Sequence, residues 1–131
     1  MMQTFEIRTG KFEMIDVTAL VRGAVRDAGI RDGICTVYCP HTTAAITINE
    51  NADPDVQRDL LLALGDIFAD RREFRHCEGN SHAHLKSSVV GASETIPVSD
   101  GRLALGTWQG IYFCEFDGPR TRRFHVQVVG I

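Results

Sequence analysis

The stretch "HCEGNSHAHLKSS", residues 76–88, carries three of the chain's five histidines and ends on a lysine and two serines. Neutral imidazole is the commonest metal ligand, and zinc takes three or four donors converging at about 2 Å, often with one position left to water. His82 and His84 would share a face on an extended segment, whereas on a helix two residues apart means a rotation of roughly 200°. The pair therefore works as a chelating motif only on a strand or an irregular turn, and solvated loop histidines are the plain alternative. Lys86, Ser87 and Ser88 offer an ammonium and two hydroxyls in succession. That is a workable phosphate grip, better still if a short helix starts there and turns free N–H groups to the ligand. The glycine-rich frame of a nucleotide loop is missing, and a surface lysine with two polar neighbours would read the same way.

A second candidate region lies upstream in "CPHTTAAITINE". Pro40 and the polar run mark a break between two strands, and His41, Thr43, Thr47 and Asn49 share the alternation of one strand face. A wet functional face and a solvated face rich in threonine for its strand propensity both fit. Glu50, Asp53 and Asp55 crowd the start of the next helix, where negative charge suits the dipole. Capping accounts for Asp53 or Asp55, while Glu50 at a strand end could serve as a metal ligand or general base. In "GTWQGIYFCEF", Gln109, Ile111, Phe113 and Glu115 share a face. A carboxylate inside so apolar a run marks an edge, an ion pair or a site. The alternative there is Trp108 in the core and Glu115 paired with an arginine. Arg120, Arg122 and Arg123 sit in a hairpin turn without interleaved aromatics, which favours a solvated turn over a nucleic-acid patch. His125, within the last strand, reads as a strand residue.

The elements that must position these groups follow from periodicity. "QTFEIRT" alternates as a strand, and "KFEMI" can return as its hairpin partner across Gly10. Asp16 caps a helix whose stripe runs Val17, Leu20, Val21, Ala24, Val25 and Ala28, and Gly29 stands where it ends. "GICTVYC" and "AAITINE" are strands. Asp53 and Pro54 open a second amphipathic helix over 54–69, with Val56, Leu60, Ala63, Leu64, Ile67 and Phe68 on one side. "ETIPV", "RLAL", "QGIYFCEF" and "RFHVQVV", separated by the turns "SDG" and "DGPR", suggest an antiparallel meander. Strands gathered around two helices without regular alternation predict an α+β domain.

With 131 residues and 44% apolar content, the chain is expected to form one domain spanning 1–131. A net charge of −3 predicts no general attraction to nucleic acid or anionic membrane. No apolar run reaches the roughly 18 residues of a membrane span. The start, "MMQTFEIRTG", lacks a basic segment followed by an apolar run, so a cytoplasmic location is expected. Cys35 and Cys39 would lie about 13 Å apart on one extended strand, too far for a disulfide, so Cys35, Cys39, Cys77 and Cys114 are expected to be reduced thiols, mostly buried.

Taken in order, "HTTAAITINENADPDVQRDL" and "FRHCEGNSHAHLKSSVVGASETIPVSDGRLALGTWQGIYFCEFDGPR" resemble the motifs of the YjbQ-like family, also described as secondary thiamine-phosphate synthase enzymes. The resemblance covers essentially the whole chain. It implies a strand-rich α+β sandwich or pseudo-barrel that assembles as a homotrimer, with a histidine-bearing polar pocket near a subunit boundary. It also implies that His41, His76 and His84 hold a divalent metal, zinc by ligand type, with His82 as an alternate ligand. Thr42, Thr43, Asn49, Lys86, Ser87 and Gln109 would bind a small phosphorylated metabolite, and Glu50, Lys86 and Glu115 would serve the chemistry. The implied reaction joins a pyrimidine diphosphate to a thiazole phosphate and releases pyrophosphate, as a weak secondary activity. A departing pyrophosphate needs charge stabilisation, which a lysine, hydroxyls and a cation supply. The competing readings are a protein that holds a phosphorylated metabolite without turnover and a structural trimer with no pocket.

Overall fold

The computed structural model describes residues 2–131. In chain order the elements are β1 (Met2–Arg8), β2 (Glu13–Asp16), α1 (Thr18–Ala28), β3 (Gly33–Tyr38), β4 (Ala44–Glu50) and α2 (Pro54–Ile67). There follow α3 (Ser81–Val90), β5 (Ser93–Ser99), β6 (Arg102–Leu103), β7 (Gln109–Glu115) and β8 (Thr121–Gly130). The strands form two antiparallel sheets, one of five in the order β1-β8-β3-β5-β6 and one of three in the order β2-β7-β4. The fold class is α+β, as expected, and the strands form a sandwich.

The main core fills the space between the sheets. Cys35, Val37, Ile96, Phe124 and Val126 from the large sheet meet Ala44, Ile46, Ile111 and Phe113 from the small one, joined by Val17, Val21, Ala24 and Val25 around α1. Phe113 and Phe124, both fully buried, have ring centroids 6.2 Å apart, and each such side chain contributes about 2–3 kcal/mol of burial. A second cluster lies on the outer face of the small sheet, where Ala45, Tyr112, Cys114 and Phe116 pack against Ala83 of α3 and Leu61 and Leu64 of α2. The helices α2 and α3 thus cover the small sheet. The outer face of the large sheet stays open, with Ile34, Tyr38 and Val129 exposed.

Local chemistry explains the ends of the elements. Asp16 accepts the Thr18 N–H at 2.9 Å and its hydroxyl at 2.5 Å, and α1 stops at Gly29 in the left-handed conformation (φ 66°). Asp53 caps α2 by accepting the Asp55 N–H at 2.9 Å, with Pro54 in the first turn. Asp100 and Gly101 both have positive φ and close the β5–β6 hairpin, as the "SDG" signal predicts.

Three expectations need correction. The chain has a third helix, α3, where a polar loop was expected. Its buried positions are Ala83 and Lys86, so a lysine stem stands where a helical stripe would carry an apolar side chain. β1 and β2 are not a hairpin: β1 pairs with β8 and β2 with β7, in different sheets. Nor is the last third a meander, because β7 and β8 also lie in different sheets and the "DGPR" turn carries the chain between them. Turn residues specify a reversal of the chain. Which strand is met afterwards is decided by packing across the sandwich.

Candidate functional site

β8 extends past the end of β3, whose last residue, Tyr38, pairs with His125. The amide of Arg123 therefore has no strand partner on that side, and His41, in the loop before β4, takes the place of one: its Nε2 accepts the Arg123 N–H at 3.0 Å. Burial and the neighbouring Arg122 guanidinium hold the His41 imidazole below its ordinary pKa. An Nε2 that accepts a hydrogen bond carries no proton, so in the neutral ring the proton sits on Nδ1, which is left as a donor.

His41 lines a pocket of about 360 Å³ together with Thr42, Thr43, His76, Glu78, Asn80, His84, Arg120 and Arg122, closed on one side by Pro40. His84 is brought there by α3 and His76 by the preceding loop, and their rings meet edge to face with centroids 5.3 Å apart. Histidines from two distant segments thus line one hollow. The arginines complete it. Arg122 is nearly fully buried and forms a two-pronged ion pair with Glu115, Nε to Oε1 at 2.7 Å and a terminal nitrogen to Oε2 at 2.5 Å. Thr9 donates to the same carboxylate at 2.6 Å, as does the Asp117 N–H at 2.9 Å, and Arg122 also donates to the Thr43 hydroxyl at 2.9 Å. Burial pushes the Glu115 carboxyl up, but the bonds from Arg122 and Thr9 outweigh it and hold it below the ordinary value. Arg120 donates to the Asp117 carboxylate at 2.9 Å, and Asn80 donates to the same oxygen at 2.8 Å. The Asn80 side-chain carbonyl oxygen is buried and has no hydrogen-bond partner among the described residues.

The structure separates the remaining candidates. Lys86 does not enter this pocket: two positions from His84 on a helix, it points to another side of α3 and lines a neighbouring cleft of about 290 Å³ with His82, Phe12 and Asp117. Ser87 donates to the Ala44 carbonyl at 2.7 Å and serves to hold α3 on β4. Glu115, expected to handle protons, is fully buried and binds Arg122; it is the paired carboxylate of the plain reading. Asn49, Glu50 and Gln109 lie at the other end of the small sheet. Glu50 pairs with Gln109 and Ala44 with Glu115, so six residues, about 20 Å, separate the two ends. Trp108, placed in the core by the alternative reading of this strand, is 64% exposed beside that far end. Cys35, Cys39, Cys77 and Cys114 are all free thiols, and only Cys77 is exposed. Burial pushes Cys35 up to about 11 and Cys114 up to about 12.

Arg120, Arg122 and Asn80 were not among the expected ligands. A signal for Arg122 was present: it shares the inward alternation of Phe124, Val126 and Val128. The histidines, as arranged, do not fit a three-nitrogen metal site. His41 Nε2 is committed to a backbone N–H, so coordination through Nδ1 would require a further deprotonation or loss of that bond. Among the described residues no three His, Cys, Asp or Glu side chains converge as a metal site. Imidazoles, two guanidiniums and the Glu78 carboxylate wall the pocket, and each guanidinium already has a carboxylate partner, Arg122 in Glu115 and Arg120 in Asp117.

Comparisons with known proteins agree with one another. The model of the family described as UPF0047 protein YjbQ-like matches residues 3–131. The UPF0047 protein YugU of Bacillus subtilis is 54% identical over 99% of this chain and 100% of its own length. A UPF0047 protein of Methanocaldococcus jannaschii is 50% identical over 99% of this chain and 95% of its own. Among solved structures, an uncharacterized YjbQ/UPF0047 family protein of Clostridium acetobutylicum superposes with a TM-score of 0.95 at 52% identity, covering 97% of this chain and 99% of that one. A YbjQ-like protein of unknown function from Sulfolobus solfataricus gives 0.96 at 35% identity, covering 100% and 97%. None of these names carries an activity, so membership alone assigns no reaction. Matched over nearly its full length by the family model and by close relatives, the chain belongs to the YjbQ-like UPF0047 family.

Proposed function

We propose that the pocket around His41, His84, Arg120 and Arg122 binds the diphosphate of a small metabolite, and that the chain is a weak thiamine-phosphate-synthase-type transferase. It joins a pyrimidine diphosphate to a thiazole phosphate. The observation that carries the reading is the bond from the Arg123 N–H to His41 Nε2, which turns a neutral imidazole into a fixed donor beside two guanidiniums. In the transfer the thiazole ring nitrogen supplies the electron pair of a new bond to the carbon that carries the diphosphate, the bond from that carbon to the diphosphate oxygen breaks, and pyrophosphate leaves with its electron pair. Preoriented donors stabilise the charge that builds on the leaving oxygen, and they do so most where water is excluded. Arg122 needs no reorganisation for this, because Glu115, Thr43 and the surrounding core hold it in place.

Assembly as a homotrimer and a cytoplasmic location belong to the same proposal. Self-association would cover the open face of the large sheet, where Ile34, Tyr38 and Val129 are exposed. No helix among the described residues is long and apolar enough to cross a membrane. A zinc ion, implied by the family resemblance, has no role in the proposed transfer, because His41 is committed to its backbone partner.

One observation favours a second reading, a protein that binds the metabolite without turning it over. Glu115 has no free oxygen and Glu50 is about 20 Å away within the chain, which leaves Glu78 as the carboxylate on the pocket wall. Assays with the pyrimidine diphosphate and thiazole phosphate, with and without a chelator, separate the two. Transfer that survives chelation and falls at least tenfold in Arg120→Met supports the transferase. Pyrophosphate binding without product formation supports the second reading, and failure to bind pyrophosphate at all sinks both.

A further inference from the structure

The cleft on the other side of α3 has features the diphosphate pocket does not use. Lys86 is 5% exposed, yet it takes part in none of the ion pairs formed among the described residues. Its Nζ sits 4.5 Å from the centroid of the Phe12 ring, whose π face partly stabilises the charge. A buried ammonium ordinarily has a carboxylate or several acceptors around it, because desolvating a charge without a partner is costly.

Two more polar groups line the cleft. His82 lies one helical turn before Lys86 on the same face of α3 and lines the cleft, while its buried Nδ1 has no hydrogen-bond partner among the described residues and faces away from the cleft toward the Asp70 carboxylate. That carboxylate is 3.7 Å away, beyond hydrogen-bond reach. Lys11, exposed at the rim, brings a second cation from the loop between β1 and β2. Among the described residues the acidic group lining the cleft is Asp117, with Asp70 behind His82. The Asp117 charge is already met by Arg120 and Asn80. The floor is apolar, formed by Phe12 and Phe116, whose centroids are 5.9 Å apart.

The geometry points to a second anion subsite in this cleft, one that takes the phosphate monoester of a second substrate between Lys86 and Lys11 while its uncharged part lies over Phe12 and Phe116. The assignment rests on the two-substrate reading above and deepens it. The Asn80–Asp117 bond is the partition between the two hollows: Asn80 lines the diphosphate pocket and Asp117 the lysine cleft, 2.8 Å apart. The donor and the acceptor of the transferred group would thus approach each other across one side-chain pair. Each phosphate would be held by its own cations, which keeps two like charges from competing for one set of donors.

Equilibrium dialysis with radiolabelled inorganic phosphate tests the subsite without requiring turnover. The wild type should bind two phosphates per chain, Lys86→Met one, Arg120→Met one, and the double variant none. Lys11→Met, altered only at the surface, should keep both sites with one weakened several-fold. If Lys86→Met keeps both phosphates at wild-type affinity, the subsite does not exist. A wild type that binds a single phosphate, lost in Arg120→Met and retained in Lys86→Met, removes the subsite and leaves the diphosphate pocket standing. The reverse pattern keeps the subsite and removes that pocket. Should Lys86→Met fail to fold, carbon-13 spectra of the lysine Cε groups in the wild type decide the matter. Phosphate added at constant pH should shift the Lys86 resonance along a saturating curve, and an unmoved resonance overturns the inference.

Discussion

Replacing Glu115 with alanine should be among the most damaging single changes available in this chain. The carboxylate is fully buried and accepts four hydrogen bonds, two from Arg122, one from Thr9 and one from the Asp117 N–H. Its removal leaves the Arg122 guanidinium, itself 4% exposed, without a counter-charge. Breaking such a pair from one side costs about 3–5 kcal/mol, because the orphaned charge keeps its full desolvation penalty. Against a typical stability of about 5–15 kcal/mol this is a large fraction. It corresponds to a fall in Tm of roughly 10–20 °C for a domain of this size. Removing both charges in Glu115→Met/Arg122→Met should recover most of the loss, leaving the double variant within about 1–2 kcal/mol of wild type, since two apolar side chains can fill the same volume. The assay is equilibrium unfolding in urea for the wild type, Glu115→Ala, and the cycle Glu115→Met, Arg122→Met and the double, all at one protein concentration so that any association contributes equally. With each charge removed alone costing about 3–5 kcal/mol and the pair removed together about 1–2, the cycle should return a coupling of at least about 4 kcal/mol. A Glu115→Ala variant that loses less than about 1 kcal/mol would refute the reasoning. So would a double variant as unstable as the sum of its parts.

Other predictions follow from the same region. Because the Glu115 carboxyl is held below its ordinary value of 4.5, the stability it contributes is complete above that value and is lost as pH falls through the folded pKa. His41 acts at higher pH. Its folded pKa lies below the ordinary 6.5, so unfolding takes up a proton in the window between the two, and stability should decline as pH drops below about 6.5. His41→Asn should flatten that decline, and urea midpoints measured between about pH 7 and pH 5 check it. Gly118 lies where the β7–β8 loop crosses the β1–β2 loop. A Cβ there would sit 2.0 Å from the Gly10 carbonyl oxygen and 2.9 Å from the Glu115 Cγ. Gly118→Ala should therefore cost at least about 2 kcal/mol and weaken pyrophosphate binding, as read by unfolding and titration calorimetry.

How much of this was legible in the sequence varied with the range of the forces involved. The cap at Asp16, the stripe through Val21 and Val25 and the stop at Gly29 are local, and they define α1 as expected. The same holds for Asp53 and Pro54 in α2 and for Asp100 and Gly101 in the β5–β6 turn. α3 was hidden because one of its buried positions is Lys86, whose apolar stem packs like a hydrophobe while its head faces a cleft. The two-sheet arrangement was hidden for a different reason. β1 and β2, and likewise β7 and β8, follow one another around tight turns yet pair with strands far away in sequence. The joint placement of His41, His76 and His84 depended on the family motifs, since each spacing alone was compatible with a solvated loop. Arg120 and Arg122 looked like a solvated turn, because Arg122 gains its meaning only from Glu115 on a strand of the other sheet.

The central claim is that His41, locked as a donor by the Arg123 amide, and the two arginines beside it form a seat for an anion. A crystal structure determined with pyrophosphate and zinc both present tests it most directly. The account predicts pyrophosphate in contact with His41 Nδ1 and Arg120, with the bond from Arg123 N–H to His41 Nε2 intact. A zinc ion bound by His41, His76 and His84 with that bond broken, or pyrophosphate bound only elsewhere, would contradict it.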